Sequence, residues 1–235
     1  MRVRDLNWLQ LEACLARDDR IVLPLGSTEQ HAYLSLETDN ILVERVAAEA
    51  AEPLGVPVLP VLAYGLTPSF GAYPGSPTLR VATLVAVIQD LLDSLRGQGF
   101  RRILIVNGHG GNAPADAARR EWGASHADTE VLFHNWWVGP RVWQLVQELD
   151  PGASHASWME NFPWTRLAGV ELPTARKEPL ARPLPAEPTA MRAAAGDGQY
   201  GGFYSLPHED VLRVWDAGVA ETRDLLERGW ASPGS

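Results

Sequence analysis

Three short stretches concentrate the residues that could do chemistry. The first, "STEQHAYLSLETD" (27–39), brings Glu29, His31 and Asp39 together directly after the apolar run "IVLPLG". Carboxylates crowded at the end of a buried strand repel one another and lose hydration, so a positive group is expected among them. The second stretch, "NGHGGN" (107–112), holds His109, and the third, "SHASWMENFPW" (154–164), holds His155 and Glu160.

Imidazole and carboxylate together suit a divalent first-row ion such as zinc or manganese, and no thiolate stands near them to favour a softer metal. With two ions about 3.5–4 Å apart, Asp39 could bridge while Glu29 and His31 each face a different ion. Such a centre brings a bound water near neutrality and polarises a carbonyl. Plainer readings stand beside this one. Asp39 could cap the helix that starts near it, since aspartate accepts hydrogen bonds from first-turn amides. "NGHGGN" could be a strand-to-helix turn whose amides hold an anion, although it matches neither the P-loop nor the dinucleotide fingerprint. His155 by itself reads as a satisfied structural histidine, as do His126, His134 and His208.

The elements that must position these residues alternate along the chain. Apolar runs of strand length at 20–25, 56–65, 101–108 and 129–136 are followed by stretches of helical period at 39–55, 78–99, 113–127 and 139–149, and a long terminal helix is expected over 208–229. This order argues for an α/β fold, a three-layer αβα arrangement with a mostly parallel sheet and right-handed crossovers. Ligands of such sheets bind at the carboxyl ends of the strands, which is where all three stretches fall. One domain over 1–235 is expected, interrupted by a proline- and glycine-rich excursion at 171–202 that reads as an extended flap or subunit contact. The turn-rich segment 65–79 is a candidate pocket rim.

Composition narrows the partners. Of 235 residues 46% are hydrophobic and 21% charged, and no apolar run approaches the roughly 20 residues of a membrane-spanning helix. A formal charge of −9 with scattered arginines argues against a broad grip on nucleic acid or anionic lipid. Cys14 is the only cysteine, which excludes an intrachain disulfide and reads as a buried thiol. The N-terminal "MRVRDLNWLQLEACL" lacks the pattern of a secretory signal, so a cytoplasmic location is expected.

Taken together, "PLGSTEQH…TD" and "NGHGGN" resemble the creatininase (creatinine amidohydrolase) family. The resemblance implies an α/β fold around a two-metal centre, hydrolysis of small or cyclic amides, formamides or short peptides, and assembly into hexamers. Carried over residue by residue, it assigns Glu29, His31, Asp39 and His109 as metal ligands, with Asp39 bridging. Where creatininase has a glutamate two residues after that histidine, this chain has Gly111. The family's later His-Ala-Gly-Glu-x-Glu-Thr-Ser reads "HASWMENF" here, which aligns His155 as the acid/base and Glu160 as a fifth ligand, with Trp158 in place of the first glutamate. The opening motif is one residue shorter than the family's "EQHGPHLPLxTD", so 32–37 is where substrate preference is expected to be written. Trp136, Trp158, Gly110 and Gly111 are the expected substrate contacts.

The expected function is therefore a metal-dependent hydrolase in which metal-bound hydroxide attacks a small, foremost non-peptide, amide carbonyl. Two divalent ions (zinc, manganese or iron), a small-molecule amide substrate and a homo-oligomer belong to this reading; nucleic acid and membrane partners do not. Its rivals are a binding or scaffold protein that kept the fold without catalysis, and a metal-dependent lyase or isomerase acting on a sugar-like carbonyl.

Overall fold

The computed structural model describes residues 1–231. Its sheet has three parallel strands, β1 (Arg20–Leu25), β2 (Arg102–Asn107) and β3 (Glu130–Asn135), in the order β1-β2-β3. The helices are α1 (Trp8–Leu15), α2 (Thr38–Ala51), α3 (Val81–Gln98), α4 (Ala113–Ala124), α5 (Pro140–Leu149), α6 (Pro188–Ala195) and α7 (His208–Arg228). Among the described residues no helix is long and apolar enough to cross a membrane.

The layers follow from side-chain alternation. Val22, Leu104 and Val106 point to one face, where they pack with Leu42, Val43 and Val46 of α2, Val142 and Val146 of α5, and Val211 and Trp215 of α7. Ile21, Leu23, Leu25, Ile103 and Ile105 point to the other, against Leu84, Ile88 and Leu92 of α3 and Trp122 of α4. Successive residues of a strand face opposite sides, so a strand apolar throughout must be covered twice. The result is the three-layer α/β arrangement.

The run 56–65 does not become a fourth strand. It follows the free edge of β1 through isolated parallel bridges, Val58 to Val22 and Leu62 to Leu25. Val22 donates to the Pro57 carbonyl at 2.9 Å and Leu59 to the Val22 carbonyl at 2.9 Å, but the next bond runs from Leu62 to the Pro24 carbonyl at 3.0 Å, one residue later than a regular ladder requires. Pro24 and Pro57 lack the N–H that would continue the ladder, and the extra residue is absorbed as a bulge.

The helix expected over 39–55 ends sooner than its apolar period suggests. Pro53 follows α2 in a 3-10 turn, and Gly55, at φ 66°, takes the left-handed conformation that stops the chain. The excursion 171–202 is also not extended throughout. It contains α6, started by Pro188 and capped by the Glu187 carboxylate, which accepts from the amides of Thr189 and Ala190 at 2.9 and 2.6 Å. Met191 and Ala195 of α6 form a small separate core with Phe70, flanked by Tyr73, Leu180, Leu184 and Tyr200. The excursion is thereby seated on the 65–79 turn, beside the strand ends. Cys14 is buried on α1.

Candidate metal centre

Leu25, Asn107 and Asn135 stand opposite one another at the carboxyl ends of the three strands, so the chain leaves all three at one level. A side-chain lattice ties these exits together. Asn107 donates from Nδ2 to the Asn135 side chain at 2.8 Å and to the His109 carbonyl at 2.7 Å. Asn112 donates to the Gly26 carbonyl at 3.0 Å and accepts from the Leu66 amide at 3.1 Å. The amides of "NGHGGN" thus serve as structural lacing, and the loop that carries His109 is held to the loops on either side.

On this platform Glu29, His31, Asp39, His109, His155 and Glu160 converge. Asp39, in the first turn of α2, turns Oδ1 to His31 Nε2 at 3.1 Å and Oδ2 to His109 Nδ1 at 3.2 Å. Glu29 Oε1 lies 3.2 Å from His109 Nδ1 and 3.8 Å from His155 Nδ1, while Glu160 Oε2 lies 3.7 Å from His31 Nε2. No first-turn amide donates to the Asp39 carboxylate, whose partners are the two histidines, so the capping reading of Asp39 does not hold.

Each histidine is aimed by its second nitrogen. His109 donates Nε2–H to the Leu66 carbonyl at 2.9 Å, leaving the Nδ1 lone pair for the cluster. His31 donates Nδ1–H to the Glu29 carbonyl at 3.2 Å, leaving Nε2. This is the arrangement by which outer hydrogen bonds set the tautomer of a metal-ligating imidazole. Gly111 is needed for it: a Cβ there would fall 1.9 Å from the Leu66 carbonyl oxygen and 2.4 Å from His109 Nε2. No side chain fits at Gly111 in this backbone.

The charges fit divalent ions. Among the described residues, Glu29 Oε1, Asp39 Oδ2 and His31 Nε2 are buried with only charge contacts to one another and to His109 and no well-formed hydrogen bond, an arrangement that is costly unless positive charge compensates the carboxylates. Ligand atoms lie within 4.8 Å of one another in three sets, Glu29 with Asp39 and His109, His31 with Asp39 and Glu160, and Glu29 with His31 and His155; Asp39 belongs to the first two, and Glu29 and His31 also to the third. In the protein alone, protons supply the positive charge. Burial opposes charge on His31, but the Asp39, Glu160 and Glu29 carboxylates outweigh it and raise this imidazole to about 10. His109 is likewise raised, against burial, by Glu29 and Asp39. Asp39 is held well below the usual carboxylate range because the histidines overcome its burial, and burial raises Glu160 with help from neighbouring carboxylates. His155 is different. Burial and the charge of His31 push it down to about 4, so it stays neutral.

A cavity of about 500 Å³ opens over the cluster. Glu29, Asp39, His109, His155 and Glu160 line it, as do Gly110 and Gly111. Trp136 and Trp158 do not. Trp136 is 2% exposed and packs edge-on to Trp215, and Trp158 is fully buried in the same core, so the expectation that they touch substrate is corrected. Sheet-covering packing needed their volume, and the replacement of a family glutamate by Trp158 falls in the core, not in the pocket. The segment 32–37 is also absent from the cavity wall. The 65–79 turn does form part of the rim, through Leu66, Thr67, Ser69 and Phe70, and the other contributors are Trp137 and Trp143 around the start of α5 and Arg182 and Tyr200 from the excursion. The only sequence signal for the last two was the proline-stiffened segment that carries them.

A creatinine amidohydrolase family model matches residues 4–200. The chain belongs to the creatininase family. Over 162 residues it is 33% identical to the creatinine amidohydrolase of Pseudomonas putida, covering 63% of this chain and 62% of that protein. It is equally 33% identical, over 141 residues, to the mycofactocin precursor peptide peptidase of Mycolicibacterium smegmatis, covering 48% and 57%. The chain thus spans about six-tenths of the length of these curated relatives. Solved creatininase structures in Zn-Zn and manganese forms share its fold, each at a TM-score of 0.78 and 24% identity over 98% of this chain and 98% or 99% of theirs.

Proposed function

We propose that the protein is a metal-dependent hydrolase of a small amide or short peptide. The observation that carries this reading is the Asp39 carboxylate, whose two oxygens face His31 and His109 separately within a buried cluster of carboxylates and imidazoles. Glu29, Asp39 and His109 would hold one divalent ion, and His31, Asp39 and Glu160 the other. Zinc and manganese, both found in solved creatininases, suit these nitrogen and oxygen donors. When bound, such ions supply a water acidic enough to be nucleophilic near neutral pH and an electrophile for a carbonyl oxygen.

The chain's own part is proton handling and placement. His155 is held through Nε2, which lies 2.9 Å from the Gln30 side-chain nitrogen and 3.0 Å from the Gln30 carbonyl oxygen, and it turns Nδ1 toward Glu29 and the cavity. As a neutral imidazole lining the cavity, it can take a proton from the attacking water and deliver it to the departing nitrogen. Gly110 and Gly111 allow substrate to approach the backbone above His109. Phe70, Trp137 and Trp143 exclude water around the amide. Likeness to a creatinine amidohydrolase and to a peptide peptidase supports amide substrates generally, and the reading includes both peptide and non-peptide bonds. A homo-oligomer is part of the same reading and is carried by family likeness alone.

The test is a hydrolysis screen of cyclic amides, formamides and dipeptides with zinc or manganese added to metal-free protein, alongside metal analysis. About two ions per chain and amine release from one substrate class are expected. No release from any class by protein holding two ions would sink the hydrolase reading.

A further inference from the structure

Beyond the cluster, the cavity wall holds one cationic side chain that no described residue answers. Arg182 lines the cavity and makes no ion pair or hydrogen bond among the described residues. Its neighbours on the excursion are tied down: Arg176 to Asp150 at 3.1 Å, and Lys177 to Asp197. Tyr200, on the returning limb of the same excursion, lines the same cavity. Its ring stands 4.8 Å from that of His155 and 6.0 Å from that of Phe70, and its hydroxyl has no partner among the described residues. The remaining charged groups of the wall are the carboxylates and histidines of the cluster, which the proposed ions would engage. The excursion thus supplies the wall's one guanidinium side chain, on the exposed residue Arg182, and the Tyr200 hydroxyl, beside the carboxylates and histidines of the cluster, the aromatic and aliphatic lining and the hydroxyls of Thr67, Ser69 and Ser154.

We propose that Arg182 and Tyr200 form a carboxylate-binding subsite, so that the preferred substrates are amides that carry a carboxylate: N-acyl amino acids or short peptides ending in a free carboxyl group. A guanidinium presents paired N–H donors that match a carboxylate, and the hydroxyl adds a third. A cavity of about 500 Å³ lies in the range that accommodates ligands of dipeptide size. Anchoring the carboxylate at the excursion would orient the amide toward the cluster and reject neutral cyclic amides, which leave the guanidinium unanswered. The proposal rests on the hydrolase reading for which bond is cleaved, and on the cavity alone for what is bound.

Two measurements on metal-loaded protein separate these dependencies. The first compares kcat/KM for glycyl-phenylalanine and glycyl-phenylalaninamide; the second compares calorimetric binding of N-acetylphenylalanine and its amide, which needs no turnover. The acid is expected to be favoured at least tenfold in both. Arg182→Gln should cost the acid at least tenfold more than the amide, Arg182→Lys should restore part of the difference, and Tyr200→Phe should weaken the acid more than the amide. A preference that survives Arg182→Gln undiminished places the carboxylate on the metal ions and overturns the subsite, as does equal binding of acid and amide by the unaltered protein. Selective binding of the acid through Arg182 without cleavage of either dipeptide leaves the subsite standing and counts against the hydrolase reading instead.

Discussion

His109 donates its Nε2–H to the carbonyl of Leu66 at 2.9 Å, and that bond decides which nitrogen the imidazole presents to Glu29 and Asp39. The contact spans two loops that are distant in sequence, and it needs the bare backbone of Gly111 beneath it. Gly111→Ala should therefore disturb the ligand without removing it. Loss of an outer-sphere partner of this kind costs about 10–100-fold in metal affinity. Competition with a chelator should show that loss for Gly111→Ala, with circular dichroism confirming an intact fold.

Asp39 is shared by both triads, so its removal should act on both ions at once. Asp39→Ala is expected to lower metal content from about two ions per chain to none, whereas His109→Ala should spare the triad of His31, Asp39 and Glu160. Chelation of the loaded protein should be accompanied by proton uptake near neutral pH, because His31 and His109 then carry the positive charge. Metal analysis and a weakly buffered indicator dye check the two outcomes.

Trp158 and Trp143 should separate stability from binding. Trp158 is fully buried, so Trp158→Ala is expected to cost about 3–5 kcal/mol in a denaturant titration. Trp143 is 43% exposed at the cavity rim, and Trp143→Ala should change stability by only about 0.5 kcal/mol while weakening substrate binding.

Asp150 links the His155 segment to the excursion. One carboxylate oxygen accepts from the Gly152 amide at 3.0 Å and from Arg176 at 3.1 Å, the other from the Phe203 amide at 3.1 Å. Burial opposes ionisation, but these donors prevail and hold the carboxyl below its ordinary value. A depressed carboxyl stabilises the fold fully above its unfolded value of about 3.9 and loses that contribution as pH falls through the folded value. Asp150→Ala should cost about 2 kcal/mol at pH 7. The gap between variant and parent should narrow as the denaturation is repeated at progressively lower pH below about 4.

Much of the frame is legible in the chain itself. The runs 20–25, 101–108 and 129–136 become β1, β2 and β3 because sheet residues covered on both faces must be apolar throughout. The run 56–65 reads the same way by composition, yet it fails as a strand because Pro24, on the neighbouring strand, removes a donor that only pairing reveals. Likewise α6 was hidden in a segment whose prolines suggest extension, one of which in fact starts the helix.

By residue type and spacing, the sequence placed Glu29, His31 and Asp39 after one buried strand and His109 after another, a set of carboxylates and imidazoles able to hold a metal, and the resemblance to the creatininase family made them candidate ligands. Tertiary structure alone decided that Asp39 is shared between two triads and does not cap its helix, and that Trp136 and Trp158 belong to the core. It also brought Arg182 and Tyr200 to the cavity. The reason is physical: a ligand's role depends on the atoms around it, and here those atoms come from chain segments that become neighbours only when the strand ends and the excursion pack together.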